Sequence, residues 1–329
     1  MRAPEFWGGT GSGLMPWLLS PIASLYEAAT ARRMARPGWQ APVPVICCGI
    51  ATAGGAGKTT VALDLGQRLA NRGVAVHFLL RGYGGRLKGP VRVDPAQHDS
   101  QAVGDEALLL AADRPAWISA DRGAGARAAV AAGAQTILMD DGLQNPTLLK
   151  DLSLLIVDGN FGFGNNRIIP AGPLRESVAA AAARCRAAVI IGEDETNAAA
   201  LLPPRLPVLR AHLRPGPEAE LLAGQPVHAF CGIANPKKFF ATLAEAGAVL
   251  AGRTAFADHY PFDAGDMRDI LAEAESLRAI PVTTRKDFVR IPPAFRSRVT
   301  VVTVRLEWED TAAIEALLDP LAQRVPIPA

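Results

Sequence analysis

The sequence predicts an α/β protein, in which a mostly parallel β-sheet is flanked by helices and a second, smaller α/β domain follows. Short apolar runs, often β-branched, alternate with helical stretches along the first part of the chain. A proline-rich segment at 201–217 then interrupts this pattern, and a second alternation of the same kind begins after it. Strands that alternate with helices are typical of parallel sheets covered by helices on both faces.

The first part of the chain is predicted to contain most of the parallel sheet. Apolar runs predict strands at 43–50, 74–80, 116–120, 136–141, 152–158 and 187–193. Helical periodicity predicts helices at 58–72, 105–113 and 123–132.

The second part of the chain is predicted to form the smaller domain. Its strands are predicted at 227–233, 281–284 and 298–306, and its helices at 236–246, 265–278 and 311–323. The segment 201–217 is interpreted as a linker. The predicted domains are therefore 1–40, a helical segment that forms part of the first domain, 41–207, the first domain proper, and 208–329.

Composition and charge exclude several classes of protein. The chain has 34 basic and 32 acidic residues, for a formal charge of +2, so no nucleic-acid partner is expected. Its four cysteines show no C-x-x-C spacing, which argues against a disulfide framework or a zinc site and favours a reducing cytoplasm. No run approaches about 18 consecutive apolar residues, so a transmembrane helix is not expected.

The decapeptide ATAGGAGKTT, residues 51–60, predicts a phosphate-binding loop. It lies between a predicted buried strand and a predicted amphipathic helix, where glycines let backbone N–H groups converge on phosphate oxygens. The usual pattern G-x-x-x-x-G-K-S/T places glycine at position 52, where this chain has Thr52. Lys58 is expected to reach the β- and γ-phosphates of ATP, and Thr59 to offer its hydroxyl to Mg²⁺.

This loop makes the first domain P-loop NTPase-like. The residues expected to hold the nucleotide are Thr52, Ala53, Gly54, Gly55, Ala56, Gly57, Lys58, Thr59 and Thr60. The alternative is a glycine-rich turn that binds nothing.

Two pairs of carboxylates are candidates for the chemistry. Asp140 and Asp141 end a predicted strand, and the carboxyl ends of parallel strands share one edge of a sheet, so they are expected beside the loop near Mg²⁺. Asp105 and Glu106 begin a predicted helix. Acidic residues there usually interact favourably with the helix dipole, but transfer to an alcohol also requires a carboxylate near the acceptor hydroxyl. The residues alone leave both interpretations open.

The N-terminal segment 14–36 combines an apolar stripe with a basic end. Trp17 and the arginines that follow the stripe suit a helix lying in a membrane surface. A helix packed against its own domain is the alternative, and the pattern alone favours it.

Taken together, these segments resemble one family, the tetraacyldisaccharide 4′-kinases of lipid A biosynthesis. The resemblance rests on a co-linear series of motifs: the phosphate-binding loop, RGYGGR (81–86), VGDEALLLA (103–111), DDGLQ (140–144), DLSLLIVDG (151–159), IPAGPLRE (169–176), FCGIANPKKFF (230–240), DHYPF (258–262) and TTRKD (283–287). It implies transfer of the γ-phosphate of MgATP to the 4′-hydroxyl of a tetraacyldisaccharide 1-phosphate, giving lipid IVA.

The family also implies cofactors, partners and a location. ATP and Mg²⁺ would be required, and the lipid disaccharide would be the substrate. The protein would be peripheral at the cytoplasmic face of the inner membrane of Gram-negative bacteria. The N-terminal helix then becomes an interfacial helix. A monomer is expected.

Residue roles carry over from the resemblance. The catalytic residues would be Asp105, His259 and Lys58, with Asp105 as base and His259 paired with it across a cleft that the second domain closes. Arg175 would join the loop at the ATP phosphates. The metal site would comprise Thr59, Glu106, Asp140 and Asp141. The substrate contacts would include Arg81, Tyr83, Gln144 and Asn145. Asn145 departs from the family, which usually has histidine there, and asparagine cannot ionise.

One alternative function belongs to a different class of protein. A membrane-associated nucleotide switch or partitioning ATPase would share a similar loop, K-G-G-x-G-K-S/T. Its signature lysine would fall at position 53, where this chain has Ala53.

Overall fold

The computed structural model describes residues 4–8 and 13–324, which form two β-sheets with helices packed against them. The strands are β1 (Val45–Gly49), β2 (Val76–Leu80), β3 (Val91–Arg92), β4 (Ala116–Ile118), β5 (Thr136–Asp140), β6 (Leu152–Asp158), β7 (Ala187–Ile191), β8 (Val208–Pro215), β9 (Pro226–Cys231), β10 (Val249–Ala255), β11 (Ile280–Thr284), β12 (Thr300–Val302) and β13 (Val304–Trp308). The helices are α1 (Leu14–Met34), α2 (Lys58–Asn71), α3 (Ser100–Val103), α4 (Asp105–Ala111), α5 (Arg122–Ala131), α6 (Val178–Ala182), α7 (Pro236–Glu245), α8 (Ala264–Ser276), α9 (Arg285–Phe288) and α10 (Thr311–Ala322).

The larger sheet has nine strands in the order β13-β8-β7-β6-β1-β5-β2-β4-β3. Its seven inner strands run parallel, and only the edge strands β3 and β13 are antiparallel to their neighbours. The smaller sheet, β10-β9-β11-β12, is entirely parallel. The predicted fold class, a mostly parallel sheet with a second, smaller α/β unit, is confirmed.

Strand β1 lies at the centre of the larger sheet, between β5 and β6. All five of its residues are buried, and alternate side chains enter the two apolar layers on opposite faces of the sheet. Ile46 and Cys48 pack into one layer, Val45 and Cys47 into the other. Because β1 continues directly into residues 51–57, the glycine-rich loop lies at the middle of the sheet's carboxyl edge.

The predicted boundary between residues 207 and 208 does not coincide with the division between the two sheets. β8 pairs with β7, and β13 pairs with β8, so both strands belong to the larger sheet. Ile314, Leu318 and Leu321 of α10 also pack into its core. The smaller sheet is therefore built from residues between β8 and β13, and the chain passes between the two sheets twice.

Prolines caused the misinterpretation of the segment 201–217 as a linker. Proline lacks a backbone donor, so a proline-rich stretch is atypical of a strand inside a sheet. Here Pro207 precedes β8 and Pro215 is its last residue. The first half of β8, residues 208–211, pairs with β7, and the second half, residues 211–215, pairs with β13.

The predicted strand 298–306 is divided between the two sheets. β12 pairs with β11 in the smaller sheet and β13 with β8 in the larger one. Thr303 lies between them; its N–H donates to Glu218 Oε1 at 2.5 Å, and its carbonyl accepts from Gly216 N at 2.8 Å. Because both backbone groups are satisfied outside the ladders, the chain can change sheets there.

Candidate active site

Glycines determine the conformation of the glycine-rich loop, residues 51–57. Gly57, which precedes the first residue of α2, has a φ of +77°, and a Cβ there would lie 2.7 Å from Ile191 Cδ1. A larger residue would therefore be strained and would clash. Gly54 and Gly55 are exposed, and a Cβ built on either meets nothing within 4 Å. Backbone N–H groups in this stretch are therefore open to a ligand at a helix N-terminus.

A second segment, residues 173–175, contacts the loop through backbone hydrogen bonds. Ala53 N donates to Pro173 O at 2.7 Å, and Arg175 N donates to Ala51 O, also at 2.7 Å. Thr52 forms an isolated antiparallel bridge with Leu174. The segment that carries Arg175 is thus attached to the loop by its backbone.

Asp141 brings two cations to the loop. Lys58 Nζ lies 3.9 Å from Asp141 Oδ2, and Arg175 Nη1 lies 2.8 Å from Oδ1 and 3.0 Å from Oδ2. Burial raises the pKa of Asp141, but the charges of Lys58 and Arg175 outweigh burial and hold it below the ordinary value. The carboxylate therefore stays ionised and holds both cations beside the loop.

Asp140 and Thr59 form the candidate metal site. Thr59 Oγ1 donates to Asp140 Oδ2 at 2.7 Å, and Asp140 is 1% exposed. Asp140 Oδ1 is buried and has no hydrogen-bond partner among the residues that the structure describes. An orphaned carboxylate oxygen beside a hydroxyl fits a hard cation such as Mg²⁺, which takes few protein ligands and completes its shell with phosphate oxygens and water.

The same described residues contain no cluster of three His, Cys, Asp or Glu side chains able to hold a metal alone. A cation at this site would therefore depend on the nucleotide for further ligands.

Burial raises the pKa of Asp140 to about 7, and the charge of Glu106 adds to this effect against the opposing charge of Lys58 and the hydrogen bond from Thr59. The negative charge of Glu106 thus disfavours ionisation of Asp140. Glu106 directly follows Asp105 in the first turn of α4.

The raised pKa predicts how stability depends on pH. A carboxyl group with a pKa of about 7 when folded and about 3.9 when unfolded stabilises the protein at low pH, and this contribution is lost as pH rises between these values. The variant Asp140→Asn stays neutral. Its melting temperature without nucleotide or divalent cation should exceed that of the wild type at about pH 8, and the difference should shrink towards about pH 5.

Asp141→Asn is the matched control with the opposite sign. The pKa of Asp141 is lowered on folding, so its ionised form stabilises the protein above the unfolded pKa. This variant should melt below the wild type at about pH 8. A difference between Asp140→Asn and the wild type that did not change with pH would contradict the raised pKa.

Asp105 and His259 bring the units of the two sheets into contact. Asp105 begins α4 beside the larger sheet, and His259 lies between β10 and α8 in the smaller sheet's unit. His259 Nδ1 lies 2.8 Å from Asp105 Oδ2. Lys286 Nζ lies 3.4 Å from His259 Nε2 and 3.7 Å from Asp258 Oδ1. His259 Nε2 also lies 3.8 Å from Asp258 Oδ2. Because a carboxylate oxygen accepts, the hydrogen bond to Asp105 is donated by His259 Nδ1.

Backbone geometry holds both members of this pair. Gly104, just before Asp105, has a φ of +88°, and a Cβ there would lie 2.4 Å from Tyr83 O. Only glycine fits this close approach. Because the φ of +88° at Gly104 is not helical, α4 starts at the next residue, Asp105. His259 has a φ of +60°, uncommon for a non-glycine residue, and its N–H donates to Gly232 O at 3.0 Å. Such strained positions cluster at functional sites.

The predicted substrate residues fall into two groups. Arg81 and Tyr83 are exposed, Tyr83 to 81%. Gln144 Nε2 donates to Ile50 O at 2.8 Å and to Glu176 Oε1 at 2.7 Å. Asn145 Oδ1 accepts from both the N–H and the hydroxyl of Thr147. Gln144 and Asn145 thus lie in a hydrogen-bonded turn after Asp141, whereas Arg81 and Tyr83 face solvent.

Helix α1 exposes its apolar side. The large apolar residues that face solvent are Leu14, Met15, Trp17, Leu18, Ile22 and Leu25, each at least 52% exposed. At 100° per residue the buried residues of α1, Pro16, Ala23 and Thr30, lie on the opposite face. The exposed Arg32 and Arg33 follow at the C-terminal end. In the part of the chain that the structure describes, no helix is both long enough and apolar enough to span a bilayer.

Sequence reasoning missed several residues of this region. Arg122 is 4% exposed, donates to Ser119 O at 2.6 Å, and has its pKa lowered to about 10 by burial against the charge of Asp141. Glu176 is 3% exposed and pairs with Gln144 and Arg184. Each looks like an ordinary surface charge in the sequence, and no local pattern marks its burial.

Comparisons with known proteins agree on one family. The model of the family described as tetraacyldisaccharide-1-P 4′-kinase matches residues 15–323. A tetraacyldisaccharide 4′-kinase of Gluconacetobacter diazotrophicus is 56% identical over 319 residues, covering 97% of this chain and 98% of its own. The protein of the same name from Rhodospirillum rubrum is 54% identical over 326 residues, covering 98% of each.

A solved structure shares the fold. The crystal structure of LpxK from Aquifex aeolicus in complex with ATP superimposes with a TM-score of 0.75 at 23% sequence identity, covering 94% of this chain and 99% of its own. At that identity the likeness shows the fold alone.

Proposed function

The chain belongs to the tetraacyldisaccharide-1-P 4′-kinase family, and we propose that it transfers the γ-phosphate of ATP to the 4′-hydroxyl of a tetraacyldisaccharide 1-phosphate, with Asp105 as the base. One observation carries the assignment of the base. The Asp105 carboxylate is hydrogen-bonded to His259, and α4, which begins with Asp105, packs against α2, which begins with Lys58 of the phosphate loop. An acceptor hydroxyl at Asp105 would therefore lie near the bound phosphates.

The residues of the chain divide the work of phosphoryl transfer. The loop N–H groups, Lys58 and Arg175 bind the phosphates and stabilise the negative charge of the transition state. Asp105 accepts the proton of the acceptor hydroxyl, and His259, which donates to Asp105, orients the carboxylate. Thr59 and Asp140 would hold Mg²⁺, which neutralises charge on the β- and γ-phosphates when bound.

The proposed reaction is tested directly with purified protein. MgATP and tetraacyldisaccharide 1-phosphate in mixed micelles should give the 4′-phosphorylated product, lipid IVA. Absence of product under conditions in which ATP binding is detected would refute the assignment. The family match disfavours the switch or partitioning ATPase, which would hydrolyse ATP whether or not the lipid acceptor is present.

We further propose that the protein acts as a monomer at the cytoplasmic face of the inner membrane, bound peripherally through α1. Asp105 and His259 come from one chain, so this pair needs no second subunit. A lipid acceptor requires access to a bilayer surface. The exposed apolar side of α1 supplies a surface suited to the acyl boundary, and its terminal arginines suit anionic headgroups.

Replacing Trp17, Leu18, Ile22 and Leu25 together by glutamine should weaken binding to vesicles that contain anionic phospholipid. Each of these side chains is at least 52% exposed, and burying such a side chain contributes about 1.5–3 kcal/mol. Co-sedimentation should therefore fall roughly tenfold or more.

Leu201→Gln with Leu221→Gln is the control for this experiment. Both leucines are also exposed, at 47% and 80%, but lie outside α1. Vesicle binding should be unchanged in this control. Unchanged vesicle binding in the α1 variant would contradict the proposal and indicate that α1 has only a structural role.

A further inference from the structure

We infer that Arg290, anchored by Asp287, is a positioning residue for the catalytic base: it fixes the orientation of the Asp105 carboxylate from the smaller sheet's side of the cleft. The inference rests on the proposed role of Asp105. Neither Arg290 nor Asp287 is among the residues that the sequence predicts for the site.

Arg290 contacts the Asp105 carboxylate from the smaller sheet's unit. Its side chain is 1% exposed, and its Nε lies 3.5 Å from Asp105 Oδ2. Its Nη2 donates to Gly232 O at 3.0 Å and to Asp287 Oδ1 at 2.5 Å. The Nη2 end of the guanidinium is therefore fixed by residues of the smaller sheet's unit. Its Nε faces the carboxylate of Asp105, which belongs to the larger sheet's unit.

Asp287 is the anchor. Its side chain is fully buried, and its Oδ1 also accepts from Gly232 N at 2.8 Å. Its Oδ2 accepts from Thr284 Oγ1 at 2.5 Å. Both oxygens are therefore engaged, and the anion offsets the cost of burying the Arg290 charge.

The contacts to Asp105 are one-sided. His259 Nδ1 and Arg290 Nε both approach Oδ2, at 2.8 and 3.5 Å. Within residues 4–8 and 13–324, no hydrogen bond or ion pair reaches Oδ1 of Asp105. With Oδ2 held, Oδ1 is the oxygen left to accept the hydroxyl proton.

Burial strengthens this arrangement. Nε and Nη1 of Arg290 are inaccessible to solvent and form no hydrogen bond to any residue that the structure describes. A desolvated cation acts on a neighbouring carboxylate with little screening. It also makes no other use of these two donors. The Arg290 charge is therefore shared between Asp287, 2.5 Å from Nη2, and Asp105, 3.5 Å from Nε.

The base is therefore assembled from both sheets. Helix α4, which starts with Asp105, packs against α9, which contains Asp287, and His259 and Arg290 both belong to the smaller sheet's unit. Loss of Arg290 should misorient Asp105 without touching the phosphate loop. A misplacement of about 1 Å at a reacting group can cost about 10²-fold in rate.

The test is a double-mutant cycle on the full-length protein with MgATP and the lipid acceptor in mixed micelles. Arg290→Gln should lower kcat by roughly 10- to 10²-fold and leave the KM for ATP within about twofold. In the Asp105→Asn background the same substitution should have almost no further effect, because Arg290 acts through that carboxylate. Arg290→Lys, which keeps the charge but not the fork, should recover part of the lost kcat.

Arg296→Gln is the matched control. Arg296 donates to Ile291 O at 2.8 Å and Val289 O at 3.0 Å, so it braces the same segment without contacting Asp105. Its kcat should equal that of the wild type. Melting curves establish that each variant is folded. If Arg290→Gln does not fold, Asp287→Asn replaces it in the cycle, since asparagine can still accept from Gly232 N.

The outcomes separate the two hypotheses. Normal kcat in Arg290→Gln with a strong loss in Asp105→Asn overturns the positioning role alone. Multiplicative losses in the double variant overturn it too, because they indicate a general structural effect. Near-normal kcat in Asp105→Asn overturns the proposed base and the role of Arg290 together.

Discussion

The variant Asp105→Ala should bind ATP like the wild type and turn over at least about 10²-fold more slowly, as expected when a general base is lost. Asp105 is 9% exposed, and its partners His259 and Arg290 both belong to the smaller sheet's unit, whereas the phosphate loop belongs to the larger sheet. Its removal therefore leaves Lys58, Thr59 and Arg175 in place. Equilibrium ATP binding and steady-state kcat, measured on the same preparation, separate the two properties.

Asp113→Ala is the control for Asp105→Ala. Asp113 lies just after α4 and pairs with Arg114, outside the cluster around Asp105. It should show wild-type kcat. Near-normal turnover in Asp105→Ala would remove this residue from the role of base, and loss of ATP binding would show that the substitution had disturbed the loop.

Lys58→Ala should impair binding and turnover together. Lys58 is 7% exposed, begins α2 and lies 3.9 Å from Asp141. Its ammonium is expected to contact phosphate in both the ground state and the transition state. We expect the KM for ATP to rise about tenfold and kcat to fall about 10²-fold or more.

Gln67→Ala, on the exposed side of the same helix, should leave both constants unchanged. A loss of kcat in Lys58→Ala with an unchanged KM would mean that this lysine contacts the phosphates only in the transition state. Unchanged kcat and KM would exclude it from the phosphate site.

Six strands of the larger sheet, β1, β2, β4, β5, β6 and β7, were predictable because their own residues indicate a buried strand. The strand predicted at 152–158 coincides with β6, and the helix predicted at 58–72 differs from α2 by one residue. Buried parallel strands are apolar throughout and need no partner to be recognised. The strand β10 was missed because its residues alternate between exposed and half-buried, and its Gly252 weakens the strand pattern.

The phosphate loop was also readable from the sequence. Gly54, Gly55 and Gly57 in front of Lys58 specify a local backbone conformation, and local conformation depends on nearby residues alone. The predicted adjacency of Asp140 and Asp141 to the loop followed from the parallel sheet, and Asp140 lies 2.7 Å from the Thr59 hydroxyl.

The sequence by itself determined the α/β class, the loop and the family to which the chain belongs, because each rests on residues close together in the chain or on motifs in a fixed order. Only the tertiary structure decided that β8 and β13 complete the larger sheet and that Arg290 lies behind Asp105. Arg290 and Asp105 are 185 positions apart in the chain (290 − 105). Contacts over such separations depend on how the two sheets pack, and burial of a charge such as Arg290 becomes visible only once the neighbours that remove it from water are in place.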